Sequence, residues 1–181
     1  MSEYVAFLRA INLGRHRKFP MASVRECLGA AGFEEVATHI QTGNVRLVVP
    51  EGARERLGDR RAVESELERV FAATTGFEVP TMAFTPAELR ELLDRVLEDK
   101  AGAERHYVAL LKEEPDAETR REVEAWSAPG EGARVLGRAI YWWIDHPTAA
   151  AKLSNTRLEK LLGPATTRDL KVVTALVGKW C

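Results

Sequence analysis

The 181-residue sequence has little cysteine: Cys27 and Cys181 stand far apart in the chain. A chain of this length needs no covalent staples, so a disulfide framework is excluded as its organising principle and a reducing, cytoplasmic setting is expected. No apolar run approaches the roughly 18 residues of a membrane span, and no signal-peptide core follows the start, so no membrane association is expected. Net charge is scarce too, since 26 Lys and Arg against 27 Asp and Glu leave a formal value of -1. That balance removes a uniformly basic surface and the simplest argument for a nucleic-acid partner. The four histidines, His16, His39, His106 and His146, show no metal-ligand spacing, and neither a metal nor a cofactor is expected. A nucleophile elbow and a phosphate-binding Walker loop are missing, and no carboxylate pair stands out from the acidic residues, so the sequence points neither to an enzyme nor away from one.

What is present is enough for a core. With 45% hydrophobic and 29% charged residues, wholesale disorder is excluded, and the length fits one domain or two small ones sharing a core. Residues 4–13 mix β-formers with apolar side chains and read as a largely buried strand. Met21, Val24, Leu28 and Ala31 follow at helical spacing, with Gly32 placed to end the helix. Residues 36–49 read as a hairpin about Gly43-Asn44, a two-residue turn that would set Ile40 opposite Leu47. A second helix over 59–75 carries Ala62, Val63, Leu67, Val70 and Phe71 on one stripe, and residues 79–84 read as a short strand. The order strand, helix, strand, strand, helix, strand is that of a ferredoxin-like unit.

Thr85 and Glu88 form a capping box, with Pro86 at the first helical position, and open a helix with Leu89, Leu92, Leu93, Val96 and Leu97 along one stripe. The second half then reads as a strand over 106–112, a charged helix over 116–126, and a hairpin about Gly137-Arg138 that pairs Val135 with Ile140. Two helices close the chain, one capped by Ser154 or Asn155, the other by Thr166 with Asp169 three residues on. This half repeats the first without a clear last strand. The expected fold is therefore α+β, a duplicated ferredoxin-like (βαββαβ) arrangement with antiparallel sheets and helices on one face. The expected division is residues 1–84, a connecting helix within 85–104, and residues 105–181. No linker rich in Pro, Gly or Ser separates the halves, so they are not expected to move independently.

Four places carry polar chemistry that packing alone does not demand. The loop Arg15, His16, Arg17 and Lys18 follows a buried strand and precedes a helix, where backbone amides and cations converge on anions. Arg9 and Asn12 fall inside an otherwise apolar strand, and a buried guanidinium must be paired or face a ligand. Gln41, Thr42 and Asn44 surround Gly43 in the turn; glycine and asparagine suit its backbone, while the three polar side chains could line a pocket. Thr167 and Arg168 lie at the expected start of the last helix, whose amides favour an anion unless Thr166 and Asp169 already cap them. Cys27 reads as a small core thiol. Of Tyr141, Trp142 and Trp143, a base-stacking platform in principle, at least one tryptophan must face inward, because adjacent strand residues point to opposite faces.

Residues 7–21, 32–45 and 152–175 taken together resemble a mostly bacterial family known as domain of unknown function 1697. Leu8, Arg9, Ile11, Asn12, Gly14 and Met21 match its opening, Gln41, Gly43 and Asn44 its turn, and Lys152, Ser154, Asn155, Thr167 and Arg168 its last segment. Thr42 replaces the usual serine and keeps the hydroxyl. Ala10, Arg15 and Arg17 depart from the opening, and Asp169, Leu170 and Val172 from the end, where they add negative charge beside Arg168. The resemblance implies two ferredoxin-like subdomains and no known activity.

The leading expectation is a cytoplasmic binding domain for a small anionic ligand, a nucleotide or phosphorylated metabolite, using Arg9, Asn12, Lys18, Gln41, Thr42, Asn44, Thr167 and Arg168. The alternatives are a nucleic-acid-binding protein that adds Arg157, Lys160, Lys171 and Lys179, a homodimeric interaction scaffold, and an unidentified hydrolase or transferase. Segmenting the charge sharpens the first reading. Residues 1–19 hold four basic and one acidic side chain, residues 149–181 six and two, and the middle 16 and 24, so basic ends flank an acidic centre.

Overall fold

The computed structural model describes residues 2–14, 17–126 and 128–181. The chain forms two compact units, Met1–Glu88 with Trp180, and Leu89–Lys179 with Cys181.

The first unit runs β1 (Ser2–Leu8), α1 (Met21–Ala30), β2 (Glu34–His39), β3 (Asn44–Val49), α2 (Arg60–Thr75) and β4 (Thr81–Phe84), with a 3-10 turn at Glu51–Ala53. Its four strands form an antiparallel sheet in the order β2-β3-β1-β4, the ferredoxin-like order. The inward side chains of β1 and β3, Tyr4, Ala6, Leu8, Val45, Leu47 and Val49, pack with Met21, Val24 and Leu28 of α1 and Val63, Leu67 and Phe71 of α2. Strand β1 is shorter than expected and ends at Leu8, so Arg9 and Asn12 belong to the following loop. The reason is the backbone: Ala10 and Asn12 take φ of 56° and 55°, which no strand accommodates.

The first hairpin also differs from expectation. His39 pairs with Asn44 and Thr38 with Val45, so the loop is the four residues 40–43, and Ile40 does not pair with Leu47. Gly43 at φ 80° and Ile40 at φ 49° turn the chain, and Asn44 opens β3 as a buried residue. The Asn44 side-chain amide donates to the His39 carbonyl (3.0 Å) and to the Thr42 hydroxyl (3.1 Å), which closes the longer loop from within.

Strand β4 lies at the sheet edge, where unpaired amides invite further strands. Two α2 carboxylates accept them: Glu64 takes the Ala83 amide and Glu68 the Thr81 amide, each at 2.8 Å. Glu64 is buried, and Arg60 donates to its other oxygen at 2.7 Å, so the charge is compensated.

The second unit runs β5 (Arg105–Leu111), α4 (Ala117–Glu124), β6 (Glu131–Leu136), β7 (Ala139–Ile144), α5 (Asn155–Leu162) and β8 (Ala165–Asp169), with a 3-10 turn at Thr148–Ala150. Its antiparallel sheet has the order β6-β7-β5-β8, the same order as the first. The expected pairing of Val135 with Ile140 is observed. The last strand, unread in the sequence, is β8: Thr166 pairs with Leu110 and is not a helix cap. Asp169 is the cap, accepting from the Lys171 amide at 2.8 Å and starting α6 (Leu170–Trp180). Each βαββαβ set is therefore followed by one more helix, α3 (Pro86–Glu98) after β4 and α6 after β8. The capping box of α3 forms as read, with Thr85 and Glu88 each accepting the other's amide proton, at 3.2 Å and 2.7 Å.

In this unit α4 and α5 place Val123 and Leu158 against Ala109, Leu111, Val135, Ile140 and Trp142. The carboxylate of Glu124 accepts the edge amide of Val135 at 3.1 Å, a counterpart of the Glu64 contact. Among the described residues no helix is long and apolar enough to cross a membrane.

Candidate functional site

The loop that leaves β1 and the loop that closes the first hairpin meet at one corner of the first unit. Their backbones are joined where Leu8 donates to the Gly43 carbonyl at 2.8 Å. The contact is close because position 43 carries no side chain: a Cβ there would lie 2.7 Å from Leu8 Cβ and 2.9 Å from Ile11 Cδ1. Asn12 completes the junction. Its amide nitrogen donates to the Gln41 carbonyl (2.8 Å) and the Phe19 carbonyl (3.1 Å), while its oxygen accepts from the Phe19 amide (2.9 Å). One side chain thus closes the loop over residues 12–19 and fastens it to the turn.

Two apolar anchors hold the same loop in the core, Ile11 and Phe19, the latter edge-on to Phe71 at 5.3 Å. Arg17 ties its outer side, donating from Nε to the Ala10 carbonyl (2.7 Å) and from Nη2 to the Glu78 carbonyl (2.5 Å), with its guanidinium over the Phe77 ring at 4.6 Å. Arg17 is thereby structural, and Arg15 and His16, the rest of the basic loop, lie outside the described residues.

This corner concentrates unusual backbone and unusual exposure. Of the four non-glycine residues at positive φ among the described residues, Ala10, Asn12 and Ile40 are here. For a β-branched residue such as Ile40 the left-handed region costs free energy that the surroundings must offset, and such strain gathers at binding and catalytic sites. Leu13 and Ile40, 62% and 47% exposed, are two of the three large exposed apolar side chains among the described residues. Around them stand half-buried Arg9, its amide fixed to the Pro80 carbonyl at 2.8 Å, and the exposed Lys18, Gln41 and Thr42.

Helix α1 begins at Met21, two residues beyond Phe19. Pro20 stands at its N-cap, no side chain accepts there, and its first turn holds no acidic residue. Aligned amides at such an end favour negative charge. The equivalent end in the second unit shows what satisfies it: Asp116 caps α4, accepting from the Thr119 amide at 2.8 Å, and Glu118 follows in the first turn. That amide holds the Asp116 carboxyl below the usual carboxylate range.

Of the expected site residues, Arg9, Asn12, Lys18, Gln41, Thr42 and Asn44 all belong to the loop, the turn and the start of β3. Asn12 and Asn44 spend their side-chain amides on backbone and on Thr42, so they shape the corner. Thr167 and Arg168 lie on β8 in the second unit. Arg168 is buried and donates from Nη1 to the Thr166 hydroxyl (2.8 Å) and the Thr167 carbonyl (2.9 Å); burial lowers its pKa to about 10. The aromatic run offers no open platform. Tyr141 and Trp142 are buried, Trp142 stacked on Tyr107 at 4.3 Å, and Trp143 lies across Gly132, where a Cβ would come within 2.2 Å of its ring. Cys27 is a half-buried thiol whose Sγ donates to the Val24 carbonyl at 3.3 Å, and burial raises its pKa. Among the described residues no group of His, Cys, Asp or Glu is placed to hold a metal ion.

What sequence reasoning missed is the uncapped start of α1, legible in the absence of Ser, Thr, Asp or Asn at positions 19 and 20, and the strain at Ile40, which had no sequence signal.

The strand order of both sheets and the corner at the end of β1 define a tandem ferredoxin-like protein with an elaborated loop in its first unit only. The chain belongs to the family described as "Protein of unknown function (DUF1697)", whose model matches residues 1–141. Its structure is similar to that of the conserved bacterial protein SP0830 from Streptococcus pneumoniae, with a TM-score of 0.73 and 20% identity over 99% of this chain and 98% of that one. At this identity the likeness concerns the fold. No curated protein matches the sequence.

Proposed function

We propose that the protein binds a small anionic ligand, a nucleotide or phosphorylated metabolite, at the corner between residues 9–20 and 40–43. The observation that carries this reading is the contrast between the starts of α1 and α4. The second unit supplies a carboxylate, Asp116, to its helix end, whereas the first leaves that end without a side-chain acceptor and sets Arg9 and Lys18 in the adjoining loop. An external anion would do for α1 what Asp116 does for α4. Gln41 and Thr42 offer exposed side-chain donors beside it, and Asn12 and Asn44 hold the corner in shape before any ligand arrives, which lowers the ordering cost of binding. Thr167 and Arg168 are not needed for this site. A cytoplasmic location belongs to the same proposal, consistent with the absence of any disulfide among the described residues.

Thermal unfolding with inorganic phosphate, pyrophosphate and a panel of nucleotides and sugar phosphates tests the reading. A ligand present at a hundred times its dissociation constant stabilises the folded state by about 2.7 kcal/mol. The expected result is such a shift in the wild type, reduced in Arg9→Ala and in Lys18→Ala. Absence of stabilisation by every member of the panel contradicts it.

A further inference from the structure

A groove of about 840 Å³ opens in the second unit, between the segment that precedes β5 and the first turns of α6. It is within the size range of small-molecule sites. Lys100 and Leu97 stand on the first wall, Lys171 and Leu170 on the second, and His106 and Asp169 line it between them. We propose that this groove binds a small organic dianion, a molecule with one carboxylate or phosphate group for each wall and a short apolar middle.

The charges in the groove are divided in a way that favours such a ligand. Three cations, Lys100, Arg105 and Lys171, line it against two carboxylates, of which Glu104 pairs with Arg105 at 3.3 Å and Asp169 accepts the Lys171 amide at 2.8 Å. Neither Lys100, in the segment before β5, nor Lys171, on α6, has an ion pair among the described residues. Leu97, 50% exposed, offers apolar surface beside them.

The first wall is built rather than loose. The Ala101 amide donates to Tyr141 Oη (3.1 Å), the Glu104 amide donates to Asp145 Oδ1 (3.1 Å), and His106 Nε2 lies 2.9 Å from the Ala103 carbonyl. A carbonyl only accepts, so Nε2 carries the proton, and Nδ1 accepts the Tyr141 hydroxyl at 2.8 Å. Both ring nitrogens are thus committed. Burial, with Lys100 nearby, lowers the His106 pKa and so favours the neutral ring. His106 therefore acts as a positioning residue for the wall. A wall fixed at three points before binding loses little freedom when a ligand arrives.

Titration of the full-length, isotope-labelled protein with succinate, glutarate and pyrophosphate, read by amide chemical shifts, tests the proposal. Saturable shifts are expected over residues 100–107 and 169–171 for at least one of the three. Lys100→Ala and Lys171→Ala should each weaken that binding about tenfold, and acetate and the neutral succinamide should leave the groove unmoved. The proposal is overturned if none of the three dianions produces saturable shifts there, or if both lysine variants bind as the wild type does. Arg9→Ala separates this site from the first unit's corner: groove binding should survive it unchanged, whatever becomes of the phosphate response at the corner.

Discussion

The two units carry one strand order, yet they differ where the first strand hands over to the first helix. In the second unit residues 112–116 cross from β5 to α4 and residues 137–138 close the hairpin; in the first, residues 9–20 and 40–43 do the same work. Twelve residues replace five, and four replace two. The backbone junction beneath is the same in both, since Leu8 donates to the Gly43 carbonyl and Leu111 to the Arg138 carbonyl, at 2.8 Å and 2.9 Å. The second unit thus shows that the fold needs neither the long loop nor the strained turn. What the first unit adds beyond the fold is the exposed, left-handed and cationic corner, and chain length that costs ordering entropy without being required for folding is most simply explained by binding.

The comparison is broken most severely at the paired turn glycines. Gly43→Ala combines a left-handed backbone with a Cβ 2.7 Å from Leu8 Cβ, so a loss of roughly 3 kcal/mol or more is expected by chemical denaturation. Gly137→Ala, at φ 61° with open space around it, should lose only about 1–2 kcal/mol. Equal losses would show that the corner is no more tightly built than its counterpart.

Asn12→Ala removes three hydrogen bonds and a side chain that tolerates φ 55° better than most non-glycine residues. A destabilisation of about 2–3 kcal/mol is expected, together with loss of any anion-induced thermal shift. After β5 the connection is shorter, and there the turn residue Arg138 donates from Nη1 to the Leu111 carbonyl at 3.2 Å.

The carboxylates that accept edge amides make a third pair. Glu64→Ala removes the acceptor that the buried Ala83 amide and half-buried Arg60 share, and about 2 kcal/mol should be lost. Glu124→Ala exposes one amide at a more open site, and about 1 kcal/mol or less is expected. Similar values would mean that α2 does not guard its edge more closely than α4.

The smallest expected effect is a pH dependence belonging to the second unit. Burial lowers the His106 pKa from its ordinary 6.5, so the unfolded chain takes up this proton first as the pH falls. The stability from neutral His106 is complete above about pH 6.5 and declines as the pH drops through the folded-state value. His106→Gln should flatten that slope in urea midpoints measured between pH 7 and pH 5; an unchanged slope would remove His106 as its source.

Much of this architecture is legible in the sequence where local chemistry and global fold agree. The Thr85–Glu88 box and the Val135–Ile140 pairing each follow from a few adjacent residues and appear as read, and of the two candidate caps Ser154 and Asn155 the chain uses Ser154. Errors arise where two local codes coincide. Thr166 and Asp169, three apart before an apolar stripe, imitate a capping box, but β5 recruits residues 165–169 as its partner and the cap passes to Asp169. Gly43-Asn44 imitates a two-residue turn, but Asn44 is buried at the start of β3 and Ile40 turns the chain. The site shows the same pattern. The polar residues of the corner can be named from sequence, while their division into binding and shaping roles depends on contacts between segments some thirty residues apart, such as Asn12 with Gln41.

The central claim is that the first unit's corner, and not its counterpart in the second, receives an anion. Amide chemical-shift mapping of the full chain during titration with inorganic phosphate and pyrophosphate tests it most directly. The account predicts saturable shifts among residues 9–14, 17–24 and 40–44, weakened by Arg9→Ala, with residues 111–117 and 136–139 unmoved. Silence in the first set, or equal shifts in both, would contradict it.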